Sequence, residues 1–595
     1  MVRHGAGPAG AVGAVGMLAA MSMPPARADG GTDADGGVGA GGGGAGGDSS
    51  AGSPVGSFPA VPAGSLGDAP ADSPAGSLAD PPAGGDASAG AGRGRDPRTR
   101  AQGDACPGAL RLHSADDGAL ARVRVPGGLL GLRQADALAD AALRLGDGSL
   151  HLTSRGNVQL RGLREGCGGE LAELLGAAGL LPSPRQERIR NVVATPLSGL
   201  DGRGHADVGP WLRQLDAALC AGGPLAALSG RFLFALDDGR GDVLSLGADV
   251  TLTAAQGGFA LVRLGQGGDV LRVPGAAAVR AATTAAAAFL DAVATGAVTT
   301  GAVAESGRRR GVWRIAELGD GGAGLVRTVR ERLRHDGVTV CTDPDMPDIS
   351  ASGSAGAGGH AGAGAGAAGT WSVAEGPVPG LIPGPSAADV TLSVQAPFGR
   401  ITGAQWRLLT ECARRDGRGE LRLTPWRGVL VPAVGTAHGP GRLARLSAAG
   451  LVTGPGSPWR GVGACAGRPG CAKSLADVRA DAAAVVTLTA TATAAPAPVA
   501  ALPVYWSGCE RRCGRPPGDR VDVVAQENGY RVSTVRDGTD SAADGAGAAP
   551  VRAAPAALSD AVAAARTATP AADPGGDTVT MATARPAPSA STRAR

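Results

Sequence analysis

Apolar residues recur along this chain with two periods, and the same succession of periods occurs twice. Val123 and Val125 alternate with polar neighbours, which predicts a strand, and Pro126-Gly127-Gly128 turns the chain. From Leu132, apolar positions 132, 135, 138, 139, 142 and 145 fall on one face of a helix that Gly146 ends. Leu150 and Leu152 alternate as a second strand, Ser154–Asn157 turn, and Val158 and Leu160 begin a third. An offset of 271 residues lays this unit on a second copy without a gap: Val123-Arg-Val-Pro on Val394-Gln-Ala-Pro, Leu138 on Leu409, and Gly148-Ser-Leu-His-Leu-Thr153 on Gly419-Glu-Leu-Arg-Leu-Thr424. A match over a whole supersecondary unit points to duplication. Each copy is an α+β half-domain burying its helix on a small sheet, and the two copies are expected to close one sheet about a pseudo-twofold axis. Ala-rich helical stretches (Ala276–Thr295, Ser474–Val486) and strands (Phe232–Leu236, Val243–Leu246, Phe259–Leu264) predict a larger α/β companion after each half.

Composition limits how much of the chain enters those units. Of 595 residues, 101 are Gly and 43 Pro, and aromatics make up 3%. Much of the excess sits in residues 29 to about 100, 350–370 and those after about 538, which offer few large apolar side chains to offset ordering entropy and are expected to be disordered. Two foldable blocks remain, 102–345 and 386–537. A net charge of +3 is close to neutral for this length and argues against a nucleic-acid partner. Nearly every cation is Arg, the single lysine being Lys473. The sequence predicts no membrane span, and Met1–Ala28 reads as an unstructured extension. Nine cysteines, an odd number scattered over a long chain, fit reduced thiols in a cytoplasm.

Four of those cysteines form two close pairs. Cys465 and Cys471 stand in Gly463-Ala-Cys-Ala-Gly-Arg-Pro-Gly-Cys471, and Cys509 and Cys513 in Ser507-Gly-Cys-Glu-Arg-Arg-Cys513. Two thiolate pairs in Gly/Pro-rich loops can wrap an iron–sulfur cluster or a zinc ion; zinc knuckles usually use shorter spacings than the five residues between Cys465 and Cys471. Cys220 and Cys412, in Ala/Leu helical contexts, read as packing residues, and Cys167 and Cys341 as loop thiols without a partner at metal spacing.

At these residues the chain resembles the sulfite/nitrite reductase superfamily. Gly146-Asp-Gly-Ser-Leu-His-Leu-Thr-Ser-Arg-Gly-Asn-Val-Gln-Leu160 is similar to that family's strand–turn–strand, Arg190-Asn191-Val192 to its Arg-Asn-Val motif, and Leu228-Ser-Gly-Arg-Phe232 to its Leu-Pro-x-Lys-Phe segment. Within the superfamily, Cys106-Pro-Gly-Ala-Leu-Arg111, Phe232-Leu-Phe-Ala-Leu-Asp-Asp-Gly239 and Leu423-Thr-Pro-Trp-Arg-Gly428 resemble the precorrin-3B synthase branch. The resemblance implies a duplicated sulfite-reductase-like architecture of two ferredoxin-like half-domains and two α/β cluster-type domains. The implied segments are a disordered extension (1–101), half-domain 1 (102–168), a reductase-like domain (180–345), a linker (346–385), half-domain 2 (386–455), a cluster-binding domain (456–537) and a disordered tail (538–595).

That branch implies a cytoplasmic iron–sulfur monooxygenase of aerobic cobalamin biosynthesis, hydroxylating and lactonising precorrin-3A with oxygen and an external electron donor, NAD(P)H-linked or a ferredoxin. The alternative is a sirohaem-dependent sulfite or nitrite reductase. The resemblance assigns Cys465, Cys471, Cys509 and Cys513 to a [4Fe–4S] cluster, Cys513 nearest the tetrapyrrole pocket. A rim of carboxylates calls for guanidinium partners, and Arg155, Arg190, Asn191, Arg231 and Arg427 are the candidates. Where reductases carry Lys-x-Lys against the oxyanion, this chain has Arg231 and Leu233, which speaks against oxyanion reduction. The branch also implies a mononuclear non-haem iron, usually held by two His and a carboxylate. No spacing among His113, His151, His205, His335 and His438 selects its ligands, and His151 reads as a surface-strand histidine.

Overall fold

The computed structural model describes residues 107–265, 269–295, 312–342, 376–492, 502–516, 518–536, 539–540 and 554–567. Cys106 and the low-complexity extension and linker core lie outside these residues. In the first half, strands β1 (His113–Ala115), β2 (Gly118–Val123) and β3 (Leu129–Gly131) precede helix α1 (Leu132–Leu145), then come β4 (Ser149–Leu152), β5 (Val158–Leu163) and α2 (Gly168–Ala177). Its companion runs β6 (Val192–Ala194), α3 (Gly209–Cys220), β7 (Phe234–Asp237), β8 (Val250–Ala255), β9 (Phe259–Leu264), β10 (Leu271–Pro274), α4 (Ala278–Thr295), α5 (Ala323–His335) and β11 (Cys341–Thr342). The second half repeats the first: β12 (Gly380–Pro383), β13 (Asp389–Gln395), β14 (Arg400–Thr402), α6 (Gly403–Arg415), β15 (Glu420–Leu423), β16 (Gly428–Gly435) and α7 (Gly439–Ala448). The last unit is β17 (Val462–Ala464), α8 (Val478–Ala492), β18 (Val504–Ser507), β19 (Arg520–Gln526), β20 (Gly529–Arg536), β21 (Thr539–Asp540) and α9 (Pro555–Thr567).

The halves do not close one sheet, as their repeat suggested; they make two sheets by exchanging a strand. One sheet has the order β1-β2-β5-β4-β14 and the other β12-β13-β16-β15-β3. Thus β14 of the second half pairs with β4 (Ile401 opposite Leu150), and β3 of the first pairs with β15 (Leu130 opposite Leu421). The cause is the turn before each exchanged strand. Pro126–Gly128 and Pro397–Gly399 both put their second and third residues at positive φ, 61° and 73° in one, 55° and 72° in the other, which turns the following residues away from their own sheet. A side chain on Gly128 would collide with the Leu423 carbonyl, so only Gly admits this crossing. Behind the sheets, α1 and α6 pack on each other through equivalent faces: Ala135, Leu138 and Ala142 of one, Trp406, Leu409 and Ala413 of the other. Trp406 Nε1–H donates to the Ala135 carbonyl at 2.9 Å, a bond between repeat-equivalent positions.

The two companions share a topology as well. β6, β7 and β8 are parallel neighbours, as are β17, β18 and β19, and β9 and β20 then return antiparallel. By that correspondence α9 takes the place of α4. Part of the expected disordered tail is therefore helix, because Leu558 and Val562 are needed to cover Val521, Val523 and Tyr530. Two further expectations change locally. Val243–Leu246 is no strand, because the Asp237 carboxylate accepts the N–H groups of Gly239 and Gly241, and at 3.4 Å that of Val243, that a ladder would use. The helix expected from Ser474 starts at Val478, because Ser474 and Leu475 spend their N–H groups on Cys471 and Gly508 while Asp477 accepts from Ala480. The α4 region, Gly275–Thr295, is long and apolar enough to cross a membrane by composition. It is instead a core helix, with Ala281, Ala282, Ala285 and Phe289 packed on the companion sheet.

Trp406→Ala should destabilise the chain by about 3–5 kcal/mol, as a fully buried aromatic is lost between the halves. Trp406→Phe, which keeps most of the volume and loses the bond to Ala135, should cost about 1 kcal/mol. Denaturant unfolding checks both.

Candidate functional site

The cysteine pairs follow the carboxyl ends of two adjacent parallel strands: Cys465 comes directly after β17 and Cys509 two residues after β18. The strands register the loops. Cys465 N–H donates to Trp506 O at 2.9 Å, Gly508 N–H points at Cys465 Sγ at 3.2 Å, and Leu475 N–H donates to Gly508 O at 2.8 Å. Turns close at each pair, Ser474 N–H on Cys471 O and Arg512 N–H on Cys509 O. All four thiols are free; Cys513 is the exposed one. Protein around its sulfur nevertheless pushes the Cys513 thiol up chiefly by desolvation, and Cys509, Cys465 and Cys471 push the same way against Arg511. Cys465, Cys471 and Cys509 thus all lie within electrostatic reach of Cys513. A single tetrahedral metal would gather its sulfurs within about 4 Å, and among the described residues no three His, Cys, Asp or Glu side chains gather so. Four unbridged thiols around Gly-rich backbone donors fit a larger iron–sulfide core, whose sulfurs take N–H hydrogen bonds like that from Gly508.

Three arginines from three different elements hold the same loops. Arg161, on β5, donates to Gly470 O at 2.7 Å while its other donors clasp Asp117 at 2.8 Å. Asp116 accepts from Ala472 N–H beside it. Arg427 donates to Gly514 O at 2.8 Å and lies over the Tyr505 ring at 5.8 Å, and Tyr505 O–H donates to Cys513 O at 2.7 Å. Burial pushes that phenol up to about 12. Arg479, at the start of α8, donates to Cys465 O at 3.0 Å. Burial, and then Arg161 beside it, holds its guanidinium below the usual range. The cysteine unit, which follows the second half in sequence, is thus docked on the first half.

Parts of this chain are similar to known proteins. Residues 113–178 and 383–449 match the Nitrite/Sulfite reductase ferredoxin-like half domain, the two copies that exchange strands. A precorrin-3B synthase of Sinorhizobium sp is 26% identical over 432 residues, 72% of this chain and 81% of that protein. The ferredoxin–nitrite reductase of Synechococcus elongatus is 27% identical over 410 residues, 67% of this chain and 74% of that protein. The chain is similar to proteins of the sulfite/nitrite reductase superfamily. The structure of NirA from Mycobacterium tuberculosis shares its fold, with a TM-score of 0.53 at 18% identity over 71% of this chain and 76% of that one.

Within this fold the nominated residues separate. Arg427 lies at the cysteine loops, in a left-handed conformation (φ 59°) where the repeat has Gly156. Arg155 is half-buried in the equivalent turn of the first half, its N–H on Thr153 Oγ1 at 3.3 Å. Arg231 stacks over Trp313 at 4.6 Å. Arg190 is turned elsewhere: it clasps Asp216 at 2.7 and 2.8 Å and donates to Leu180 O, with 6% of its side chain exposed. Asn191 is equally committed, accepting from Arg124 at 2.7 Å and donating to Phe232 O at 3.0 Å. Arg124 also donates to Gly230 O, so this residue, which no motif had singled out, ties the Arg-Asn-Val segment to the Ser-Gly-Arg segment. Arg161 and Arg479 were also not singled out. Arg161 occupies an alternating strand position and could have been noticed as a cation on a face with no solvent partner.

His151 is a buried residue rather than a surface one, because β14 covers β4. Its Nε2 lies 3.2 Å from Asp147 Oδ2, Nδ1 has no hydrogen-bond partner among the described residues, and burial holds the imidazole below its usual range. In the first companion, the loops equivalent to the cysteine loops carry a different network. Arg240 bridges Asp238 and Asp201, and Thr195 donates to Asp242 at 2.7 Å. Burial, with Asp237 adding, pushes Asp242 up to about 7. No four-thiol set stands there among the described residues, so only the second companion can hold a cluster in this way.

The sign of the Asp242 effect follows from its raised value. The native chain holds this proton after the unfolded chain has lost it, so the stabilisation is full below pH ~4. It drains away as pH rises to about 7. Asp242→Asn, which can still accept from Thr195, should flatten that part of the stability–pH curve; chemical denaturation between pH 4 and 8 measures it.

Proposed function

We propose that the chain is a cytoplasmic [4Fe–4S] oxidoreductase that hydroxylates precorrin-3A with oxygen and forms its lactone, giving precorrin-3B. Support begins with the precorrin-3B synthase relative, but the nitrite reductase relative matches equally well, so the deciding support is local. Leu233 stands where the reductase resemblance leads one to expect a second lysine. It is fully buried in an apolar cluster with Val193, Ala235, Val243 and Ala248, with Trp426 packed against it. A leucine at this position supplies neither the charge nor the proton that oxyanion reduction would draw on.

In this reading Arg155, Arg231 and Arg427 present guanidinium groups to the macrocycle's carboxylates, each charge-assisted bond contributing about 1.5–3 kcal/mol. Arg190 and Asn191 fix the segment that carries them, through Asp216, Leu180, Arg124 and Phe232. Cys465, Cys471, Cys509 and Cys513 hold the cluster, which would pass electrons from an external donor to the site. The mononuclear iron that the resemblance implied has no group of three His, Cys, Asp or Glu ligands gathered among the described residues. The second reading, a sirohaem-dependent nitrite or sulfite reductase, is favoured by the Synechococcus relative.

Anaerobically purified chain, given precorrin-3A, oxygen and a reductant, should yield a hydroxylated, lactonised product by mass spectrometry. Arg155→Gln should raise KM for precorrin-3A by roughly tenfold or more with kcat little changed. Sirohaem absorption that persists through purification, together with consumption of nitrite or sulfite, would establish the second reading instead.

A further inference from the structure

The three arginines that grip the cysteine loops do so in a common way. Arg479 donates to the carbonyl of Cys465, Arg161 to that of Gly470 next to Cys471, and Arg427 to that of Gly514 next to Cys513. Each comes from a different part of the chain: α8, β5 and the turn between β15 and β16. Their charges are not equivalent. Arg161 is neutralised by Asp117. Arg479 and Arg427 have no carboxylate within ion-pair distance among the described residues, and Arg400 adds a further cation close enough to act on Arg479. A half-buried cation without a carboxylate partner favours a negative charge placed beside it. The four thiolates and their cluster, which rest on the reading given above, would supply negative charge at the Cys465 backbone that Arg479 holds.

We propose that Arg479 sets the reduction potential of this cluster, acting as a positioning and electrostatic residue on the centre without ligating it. When the cluster accepts one electron from a reductant, its negative charge grows by one, and the nearby uncompensated guanidinium stabilises the reduced form more than the oxidised form. Its hydrogen bond to the Cys465 carbonyl holds the guanidinium beside that ligand's backbone. Arg427 acts in the same direction from the Cys513 side, but Tyr505 and the Gly514 contact also make it part of the loop's shape. Arg479 is therefore the cleaner test.

The test is a dithionite titration of the full chain, anaerobically reconstituted with iron and sulfide and followed by electron paramagnetic resonance. Arg479→Gln should retain wild-type iron and sulfide content and show a lower midpoint potential. The expected change is on the order of tenfold in the reduction equilibrium, about 59 mV for a one-electron couple. Arg479→Lys, which keeps the charge, should lie close to wild type. Arg400→Gln, which removes an exposed cation that acts on Arg479, should shift the potential the same way by less. A fully loaded Arg479→Gln chain with the wild-type potential would overturn the proposal, as would Arg479→Lys shifting as far as Arg479→Gln. If Arg479→Gln fails to load, an unchanged potential in Arg400→Gln overturns it. Wild-type chain that takes up no iron and sulfide defeats the cluster assignment itself, a different failure recognisable before any titration.

Discussion

The reciprocal loan of one short strand governs the rest of this molecule. β3 leaves the first half to pair with β15, and β14 leaves the second to pair with β4, in matching registers. Each loan satisfies backbone groups that would otherwise face outward at a sheet edge. It also sets Gly156 of one turn close to the Leu423 carbonyl and Arg427 of the other close to Gly399. Neither half is complete without the other, and the α1–α6 contact behind them, with Trp406 bonded to Ala135, locks the same relation from the opposite side.

Given that exchange, the sequence order of the companions becomes less important than their docking. The cysteine unit follows the second half along the chain, yet Arg161, Asp116 and Asp117 of the first half grip its Gly470–Ala472 loop. In the mirror relation, Arg422 of the second half donates to the carbonyls of Pro196 and Ser198 in the first companion. Duplication produced two equivalent loop sets at the ends of parallel strands, and they have diverged in chemistry. One carries thiols among arginines; the other carries aspartates bridged by Arg240 and Thr195.

Much of this was legible in the residues. The 271-residue offset and the 3.6-residue face from Leu132 anticipated both half-domains, and the cysteine spacing anticipated loops that face each other. The exchanged strands were missed because three residues such as Leu129–Gly131 carry no period of their own; only pairing with a distant chain segment makes them strands. The α9 helix was missed for a related reason: its Ala-rich composition resembles the tail around it, and Leu558 and Val562 acquire meaning only against the core they cover. Motif matching located Arg190 and Asn191 but not their orientation, which Asp216 and Arg124 determine from far along the chain. Conversely, Arg161 and Arg479 carry no local signal, since in an arginine-rich chain a cation becomes notable only once its surroundings are seen.

The central claim is that Cys465, Cys471, Cys509 and Cys513 together hold one iron–sulfur cluster against the first half-domain. Iron and acid-labile sulfide analysis with Mössbauer spectroscopy on the anaerobically purified chain tests it most directly. The account predicts one [4Fe–4S] centre per chain, lost when any one of the four cysteines becomes Ser. Zinc in place of iron, or iron without sulfide, would contradict it.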